Sequence, residues 1–125
     1  QYALAVTRSR NGPPRPPPLP EEALERIAAR FRALGDPSRL RLLSRLMEGE
    51  RSVGELMEET GLSQTNVSRH LSLLRREGLV ERRAEGNRGL YRIADPTMAK
   101  VCAMVCGSLA ERLAEDLKVF RAAGI

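Results

Sequence analysis

The chain reads SVGELMEETGLSQTNVSRHLSLLRREG at residues 52–78. Ser52, with a glutamate three residues later, has the pattern of a capping box and starts a short helix that Gly61 ends. Ser63 caps a second helix that ends at Gly78. The second helix carries an inward apolar face at helical spacing, formed by Val67, Leu71 and Leu74. Two helices joined by a tight turn that contains glycine are typical of a helix-turn-helix.

The segments on either side complete a small, mainly helical fold. Upstream, apolar residues at a period of 3.6 predict helices over residues 21–34 and 36–49. Downstream, the period changes to 2 over residues 79–83 and 90–93, which predicts a β-hairpin around a turn rich in glycine and asparagine. Residues 96–122 then form a last helix. The order ααααββα, mainly α with a small β-hairpin wing, predicts a winged helix-turn-helix.

Length and charge indicate one domain with a basic arm. A chain of 125 residues has room for a single core. Residues 1–20 contain six of the eight prolines and three arginines but no acidic residue, which predicts an extended, flexible arm. Residues 21–122 form the predicted folded domain. The net charge of +5 favours a polyanionic partner, such as nucleic acid or an anionic membrane surface.

Several function classes are disfavoured by the composition. Two Tyr, two Phe and no Trp are too few for a platform that stacks single-stranded bases. The sequence has no Ser/His/Asp set, glycine-rich phosphate loop or spaced carboxylate pair, so we expect no enzymatic activity. Its longest apolar run falls short of the ~20 residues that span a membrane, so we expect no membrane partner. Two cysteines without a secretory segment indicate a reducing cytoplasm.

The second helix of the predicted helix-turn-helix has an outward face suited to double-stranded DNA. Gln can pair bidentately with adenine, Arg with guanine, and Ser or Thr with bases or phosphates. We expect base contacts from four residues in its N-terminal half, Gln64, Thr65, Ser68 and Arg69. The same face continues through Ser72 and Arg76. Four hairpin arginines are expected at phosphates or in the adjacent minor groove, namely Arg82, Arg83, Arg88 and Arg92. The alternative for the hairpin arginines is an ordinary solvated surface.

Four co-linear motifs carry a resemblance to a known family. They are LGDPSRLRLL at residues 34–43, LSQTNVSRHL at 62–71, LRREGLV at 74–80 and GLYR at 89–92. Together they resemble the ArsR family (ArsR/SmtB type) of bacterial transcriptional repressors, over roughly residues 24–120.

The resemblance implies a homodimer that binds a DNA operator and leaves it when an effector binds. It also implies that the first and last helices, residues 21–34 and 96–122, build the dimer interface. The residues agree with this, because the last helix carries an apolar stripe that needs a partner surface. The stripe consists of Cys102, Cys106, Leu109, Leu113, Leu117 and Phe120.

Two metal sites common in the family do not match this chain. The site on the helix that precedes the recognition helix needs Cys-x-Cys-Asp-Leu, and residues 52–56 read SVGEL. The zinc site on the last helix needs two carboxylates and two histidines. The matching positions keep the carboxylates but lack both imidazoles, as they are Asp95, Thr97, Ser108 and Glu111. Zinc sensing of this type is therefore not expected.

Cys102 and Cys106 remain as candidate effector residues. Four positions apart on one helix face, their Cβ atoms are ~5–6 Å apart, wider than the ~3.5–4.5 Å of a disulfide. A bridging soft metal, metalloid or polysulfide fits this gap better, with a third ligand from solvent or the other subunit. The alternative is that both thiols are inert, small apolar groups in a dimer core. No cofactor is required in either case.

These inferences combine into one expected function and two rivals. We expect an effector-released repressor of the ArsR type, with Cys102 and Cys106 sensing a soft metal or metalloid, a reactive sulfur species or an oxidant. One rival is an ArsR-like regulator without thiol sensing, which answers to an organic ligand or to no effector. The other is a protein-interaction module that kept the fold.

Overall fold

A computed structural model describes residues 12–14 and 17–124 of the chain. The elements of this part are α1 Glu21–Leu34, α2 Pro37–Met47, β1 Arg51–Ser52, α3 Val53–Thr60, α4 Gln64–Arg76, β2 Val80–Glu85, β3 Arg88–Ile93 and α5 Pro96–Ala122. The predicted winged helix-turn-helix is confirmed. Most of the predicted arm over residues 1–20 lies outside the described residues, and residues 17–20 form neither helix nor strand.

Side-chain caps set where most of the helices begin. The Asp36 carboxylate accepts a hydrogen bond from the backbone N–H of Arg39 (3.0 Å) at the start of α2. Ser52 and Glu55 form the predicted capping box at α3, with both reciprocal bonds present. Ser63 caps α4 and Asp95 caps α5 in the same way. Each cap satisfies an N–H group that has no partner inside its helix.

The predicted β-hairpin is confirmed as β2 and β3, and a third strand extends it to an antiparallel sheet in the order β1-β3-β2. The additional strand is β1, whose Arg51 lies opposite Tyr91 of β3. A strand of two residues has no periodicity, so the sequence carries no signal for it. The β2–β3 turn is tighter than predicted and consists of Gly86 and Asn87, with Gly86 at a φ of 59°. This positive φ explains a glycine at the first turn position.

The hydrophobic core lies between α2, α3, α4 and the sheet. The predicted inward face of α4 is confirmed, since its three residues are fully buried. The core consists of Ala33, Leu42, Leu43, Leu46, Leu56, Val67, Leu71, Leu74, Leu79 and Val80. This core fixes the orientation of α4, and therefore determines which of its side chains face solvent.

Two arginines join α1 to the elements that follow it. Arg39 of α2 donates from Nε to the carbonyl of Ala33 (2.6 Å) and from its guanidinium to the carbonyl of Arg32 (3.2 Å). It thereby satisfies carbonyl groups at the end of α1. Arg30 of α1 donates to the carboxylate of Asp95 (2.8 Å), the residue that caps α5.

α5 leaves the core after its second turn. Cys102 is buried, and all residues from 103 to 122 are exposed. With 27 residues at a rise of 1.5 Å, the helix is about 40 Å long. The part beyond the core carries large exposed apolar side chains at Met104, Val105, Leu109, Leu113, Leu117, Val119 and Phe120. α1 adds exposed apolar side chains at Leu24, Ile27 and Phe31.

Candidate nucleic-acid interface

The N-terminal half of α4 presents a polar surface to solvent. The four residues predicted to contact bases, Gln64, Thr65, Ser68 and Arg69, are all exposed. The opposite side of the helix is held in the core. Arg69 is positioned by a hydrogen bond from its guanidinium to Oδ1 of Asn66 (3.0 Å). This half of α4 therefore offers a pre-oriented guanidinium among amide and hydroxyl groups, which is the chemistry that reads base edges in a major groove.

The sequence reasoning missed Asn66. Its amide is half-buried beside the exposed face, and its backbone N–H is held by the Ser63 cap (3.2 Å). A signal for it existed, since residues three apart on a helix are neighbours and Asn66 precedes Arg69 by three positions.

Arg76 lies at the far end of α4 from the base-contact candidates. Twelve residues separate it from Gln64, which is about 18 Å along the helix axis. There it lines a groove with Arg26 and Arg30 of α1, together with Glu77. Ser72, between the two ends, is exposed. The structure therefore divides the predicted α4 residues into an N-terminal cluster and a separate basic groove.

Carboxylates contact three of the four predicted wing arginines. Arg83 of β2 contacts both carboxylate oxygens of Glu50, with an N–O distance of 2.8 Å for the closest pair. Arg92 of β3 bonds Glu81 (2.5 Å) and lies 3.6 Å from the same Glu50. These contacts lower the pKa of Glu50, chiefly through the hydrogen bond from Arg83, and raise the pKa of Arg83. Through these contacts Glu50, in the segment before β1, is linked to Arg83 of β2 and Arg92 of β3. The sequence reasoning also missed Glu50.

The remaining two wing arginines lie near the N-terminus of α3. Arg88 contacts Glu55 of the capping box (3.2 Å). The pKa of Glu55 is lowered, first by the hydrogen bond from the backbone N–H of Ser52, then by the Ser52 side chain, and less by the charges of Arg88 and Arg51. The guanidinium of Arg82 lies directly over Gly89, so a Cβ atom at position 89 would require the Arg82 side chain to move. Arg82 and Arg88 share a shallow groove with residues 52–54, so the wing meets the helix-turn-helix at its first helix.

The two cysteines differ in environment. Cys102 is buried and Cys106 is exposed, and both are free thiols. Burial raises the pKa of Cys102, and the neighbouring Cys106 thiol raises it further. An activated thiol would be partly exposed with a cation beside it, and Cys102 shows neither feature. In residues 12–14 and 17–124, no three His, Cys, Asp or Glu side chains lie close enough to hold a metal ion.

None of the helices in the described part of the chain is both long enough and apolar enough to cross a membrane.

Comparison with known proteins places these features in a family. Residues 36–82, from the α2 cap into β2, match the description "Bacterial regulatory protein, arsR family". A Mycobacterium tuberculosis protein, Rv0081, described as an uncharacterized HTH-type transcriptional regulator, is 39% identical over 103 residues. That alignment covers 81% of this chain and 90% of the relative. The chain belongs to the ArsR family. It is therefore a winged helix-turn-helix transcriptional regulator and not an enzyme.

Two solved structures of similar proteins have the same fold. The crystal structure of Rv0081 superposes with a TM-score of 0.68 at 38% identity, covering 78% of this chain and 99% of that one. A solution structure of Mb0332 from Mycobacterium bovis gives a TM-score of 0.69 at 37% identity, covering 75% of this chain and 87% of that one. Its description names a homodimeric winged helix-turn-helix DNA-binding domain.

A third relative carries a functional name. A probable mercury resistance operon repressor of Streptomyces lividans is 46% identical over 69 residues, which is 55% of each chain.

The ArsR family match over residues 36–82 ends before α5. It therefore describes the helix-turn-helix and carries no information about Cys102 or Cys106.

Proposed function

We propose that this ArsR-family chain represses transcription as a homodimer on a pseudo-palindromic DNA operator. The observation that carries the proposal is the exposed N-terminal half of α4, where Gln64, Thr65, Ser68 and Arg69 lie on a helix fixed by its buried opposite side. In helix-turn-helix proteins, these are the positions that enter the major groove. The wing arginines Arg82, Arg83, Arg88 and Arg92 supply phosphate or minor-groove contacts in this proposal.

The dimer half of the proposal rests on exposed apolar surface. Leu109, Leu113, Leu117 and Phe120 are each more than half exposed along α5. Contiguous apolar surface of this kind on a soluble chain marks an interaction site. A second copy that pairs α1 and α5 with their counterparts would cover it, and the twofold symmetry would match a pseudo-palindromic operator.

Methylation interference on the promoter region of the protein's own gene tests operator recognition. Methylation of guanine N7 blocks contacts in the major groove, so interference should appear in two clusters about 10–10.5 base pairs apart. A single cluster, or interference confined to adenine N3 in the minor groove, would contradict the arrangement proposed here.

For the effector, we propose that Cys102 and Cys106 respond to a soft metal or metalloid, or to a reactive sulfur species or oxidant. Their adjacency on one helix face and the exposure of Cys106 support this. Replacing both by Ser should leave operator affinity unchanged and abolish release by Cd²⁺, arsenite, polysulfide or peroxide, each added alone. Release of the double variant at wild-type effector concentrations would refute it.

A second candidate is an ArsR-like regulator whose thiols serve only as packing groups. The burial of Cys102 and its raised pKa favour this candidate. It predicts tight operator binding that none of the four effectors disturbs. The same titration therefore separates the two.

A further inference from the structure

A small cavity lies beside Cys102, where α5 meets the rest of the domain. Its volume is about 10 Å³, room for about one water-sized atom. Its walls are the end of α1, the inner side of α2, the sheet and the first turns of α5. The lining residues are Leu34, Leu43, Met47, Leu79, Ile93, Asp95, Met98, Ala99 and Cys102.

Three of the lining side chains carry sulfur. Met98 and Cys102 lie one turn apart on α5, and Met47 reaches the cavity from the last residue of α2. Asp95, the one carboxylate in the wall, is engaged by Arg30 (2.8 Å) and by the backbone N–H groups at the start of α5. The other potential ligands among the lining residues are therefore one thiol and two thioethers.

The charge of this donor set selects the kind of ion. Thioethers and thiolates are soft ligands that favour Cu(I) over hard cations. One thiolate and two neutral thioethers around a monovalent cation give a complex with no net charge. A divalent cation would leave a positive charge among leucine and isoleucine side chains, where a net charge is costly. We propose that Met47, Met98 and Cys102 form a binding site for a monovalent soft cation, Cu(I).

Binding is a ligand exchange without redox chemistry. The Cys102 thiol releases its proton to solvent, its sulfur forms a bond to the cation, and the thioether sulfurs each donate a lone pair. One proton leaves for each ion bound, so affinity rises with pH.

The position of the site suggests what binding does. Met47 belongs to α2, which packs against α3 and α4, whereas Cys102 belongs to α5, which carries the proposed dimer surface. An ion held by both helices ties the proposed dimer helix to the DNA-reading unit. The regulatory role of this site rests on the proposed effector function, which it makes more specific. The existence of the binding site does not depend on that function.

Ag(I), a redox-inert probe of Cu(I) sites, provides the test on the full-length, reduced protein. Met47→Leu and Met98→Leu keep the side-chain volume close to that of the wild type while removing one sulfur each. Each should lower Ag(I) affinity about 10-fold or more, since even outer-shell partners of a metal are worth about 10–100-fold. Met104→Leu is the matched control, because Met104 is on the same helix but 74% exposed and outside the cavity. X-ray absorption should show three sulfur neighbours around silver.

Wild-type Ag(I) affinity in both Met47→Leu and Met98→Leu would overturn the inference. Equal losses in Cys102→Ser and Cys106→Ser, with the methionine variants unaffected, would do so too, and would place the ion on the cysteine pair instead. That second result would remain consistent with the proposed thiol sensor. Conversely, Ag(I) that binds the cavity without weakening operator affinity would support the site and remove its effector role.

Discussion

Arg39 shows how one side chain can fix the angle between two helices. It lies near the start of α2, and its guanidinium donates hydrogen bonds to two carbonyl groups at the end of α1, those of Arg32 and Ala33. Gly35 follows α1, but its φ is −82°, so α1 does not end in the left-handed conformation that usually satisfies these groups. The arginine therefore replaces a glycine cap.

Removing this guanidinium should destabilise the domain. In Arg39→Ala the buried backbone at Ala33 loses a partner, and we expect a loss of about 1–3 kcal/mol in the free energy of unfolding. Urea denaturation followed by circular dichroism measures it. Arg41→Ala, an exposed position on the same helix, should change the midpoint little. An equal midpoint for both variants would show that the carbonyl contacts contribute nothing.

His70 makes stability depend on pH near neutrality. Desolvation lowers its pKa below 6.5, against the opposing effect of the Asp36 carboxylate and with smaller contributions from Arg39 and Arg69. The unfolded chain therefore binds a proton at higher pH than the folded one. The contribution of neutral His70 to the free energy of unfolding is fully present above pH 6.5. It declines as the pH falls through 6.5 toward the folded-state pKa.

The measurement is the free energy of unfolding of the wild type and of His70→Gln between pH 7.5 and pH 5. The wild type should lose more stability over this interval than the variant, whose side chain does not titrate. Parallel curves for the two proteins would contradict the assignment to His70.

At the scale of elements, local signals predicted the helices and missed what joins them. The caps at Asp36, Ser52 and Ser63 act within three residues, so the sequence locates the starts of α2, α3 and α4 correctly. The contact from Arg83 to Glu50 spans 33 residues, and it depends on how β1 pairs with β3. No local pattern reveals it. The exposed residues of α4 could be predicted because helical periodicity fixes which side of the helix is buried.

Glu50 neutralises part of the basic surface of the wing, because its carboxylate contacts the guanidinium groups of both Arg83 and Arg92. In Glu50→Gln, Arg92 keeps its hydrogen bond to Glu81 and Arg83 keeps only its longer contact to Glu85 (3.3 Å), so Arg83 is the arginine that becomes freer to meet phosphates. We expect tighter binding to non-specific DNA and a log–log salt dependence steeper by about 1, at ~0.9 per added phosphate contact. Titrations from 50 to 300 mM KCl measure the slope.

Glu115→Gln removes the same charge from α5, where the carboxylate contacts Lys118 instead. It should leave the slope unchanged. A slope in Glu50→Gln equal to that of the wild type would show that Arg83 stays away from DNA.

At the scale of the whole molecule, the described chain is a DNA-reading unit with a long helix that its own core does not cover. Of the 27 residues of α5, Cys102 is the one that is buried. A single copy therefore exposes the apolar side chains of α1 and α5 together. The sequence predicted the stripe on α5, and the structure adds that Cys102 at its start is buried in the domain while the stripe residues from Cys106 to Phe120 are exposed.

A charge in the centre of the stripe should break the proposed dimer. Leu113→Glu places a carboxylate where a partner's apolar surface is expected, and an unpaired buried charge is costly. Size-exclusion chromatography with light scattering should give a monomer for Leu113→Glu. Met104→Glu, on the opposite face of α5, should remain a dimer. A monomeric wild type, or two dimeric variants, would refute the α5 interface.

The central claim is that the N-terminal half of α4 reads operator bases. Fluorescence anisotropy titration of operator DNA and of a scrambled duplex, with wild type and Arg69→Ala at one salt concentration, tests it most directly. Arg69→Ala should cost about 1–3 kcal/mol on the operator, or roughly 5- to 150-fold in Kd, with a much smaller change on the scrambled duplex. Arg121→Ala, exposed at the end of α5, should bind both as the wild type does. Wild-type operator affinity in Arg69→Ala would contradict the account, and no preference for the operator over the scrambled duplex in either protein would favour the protein-interaction module instead.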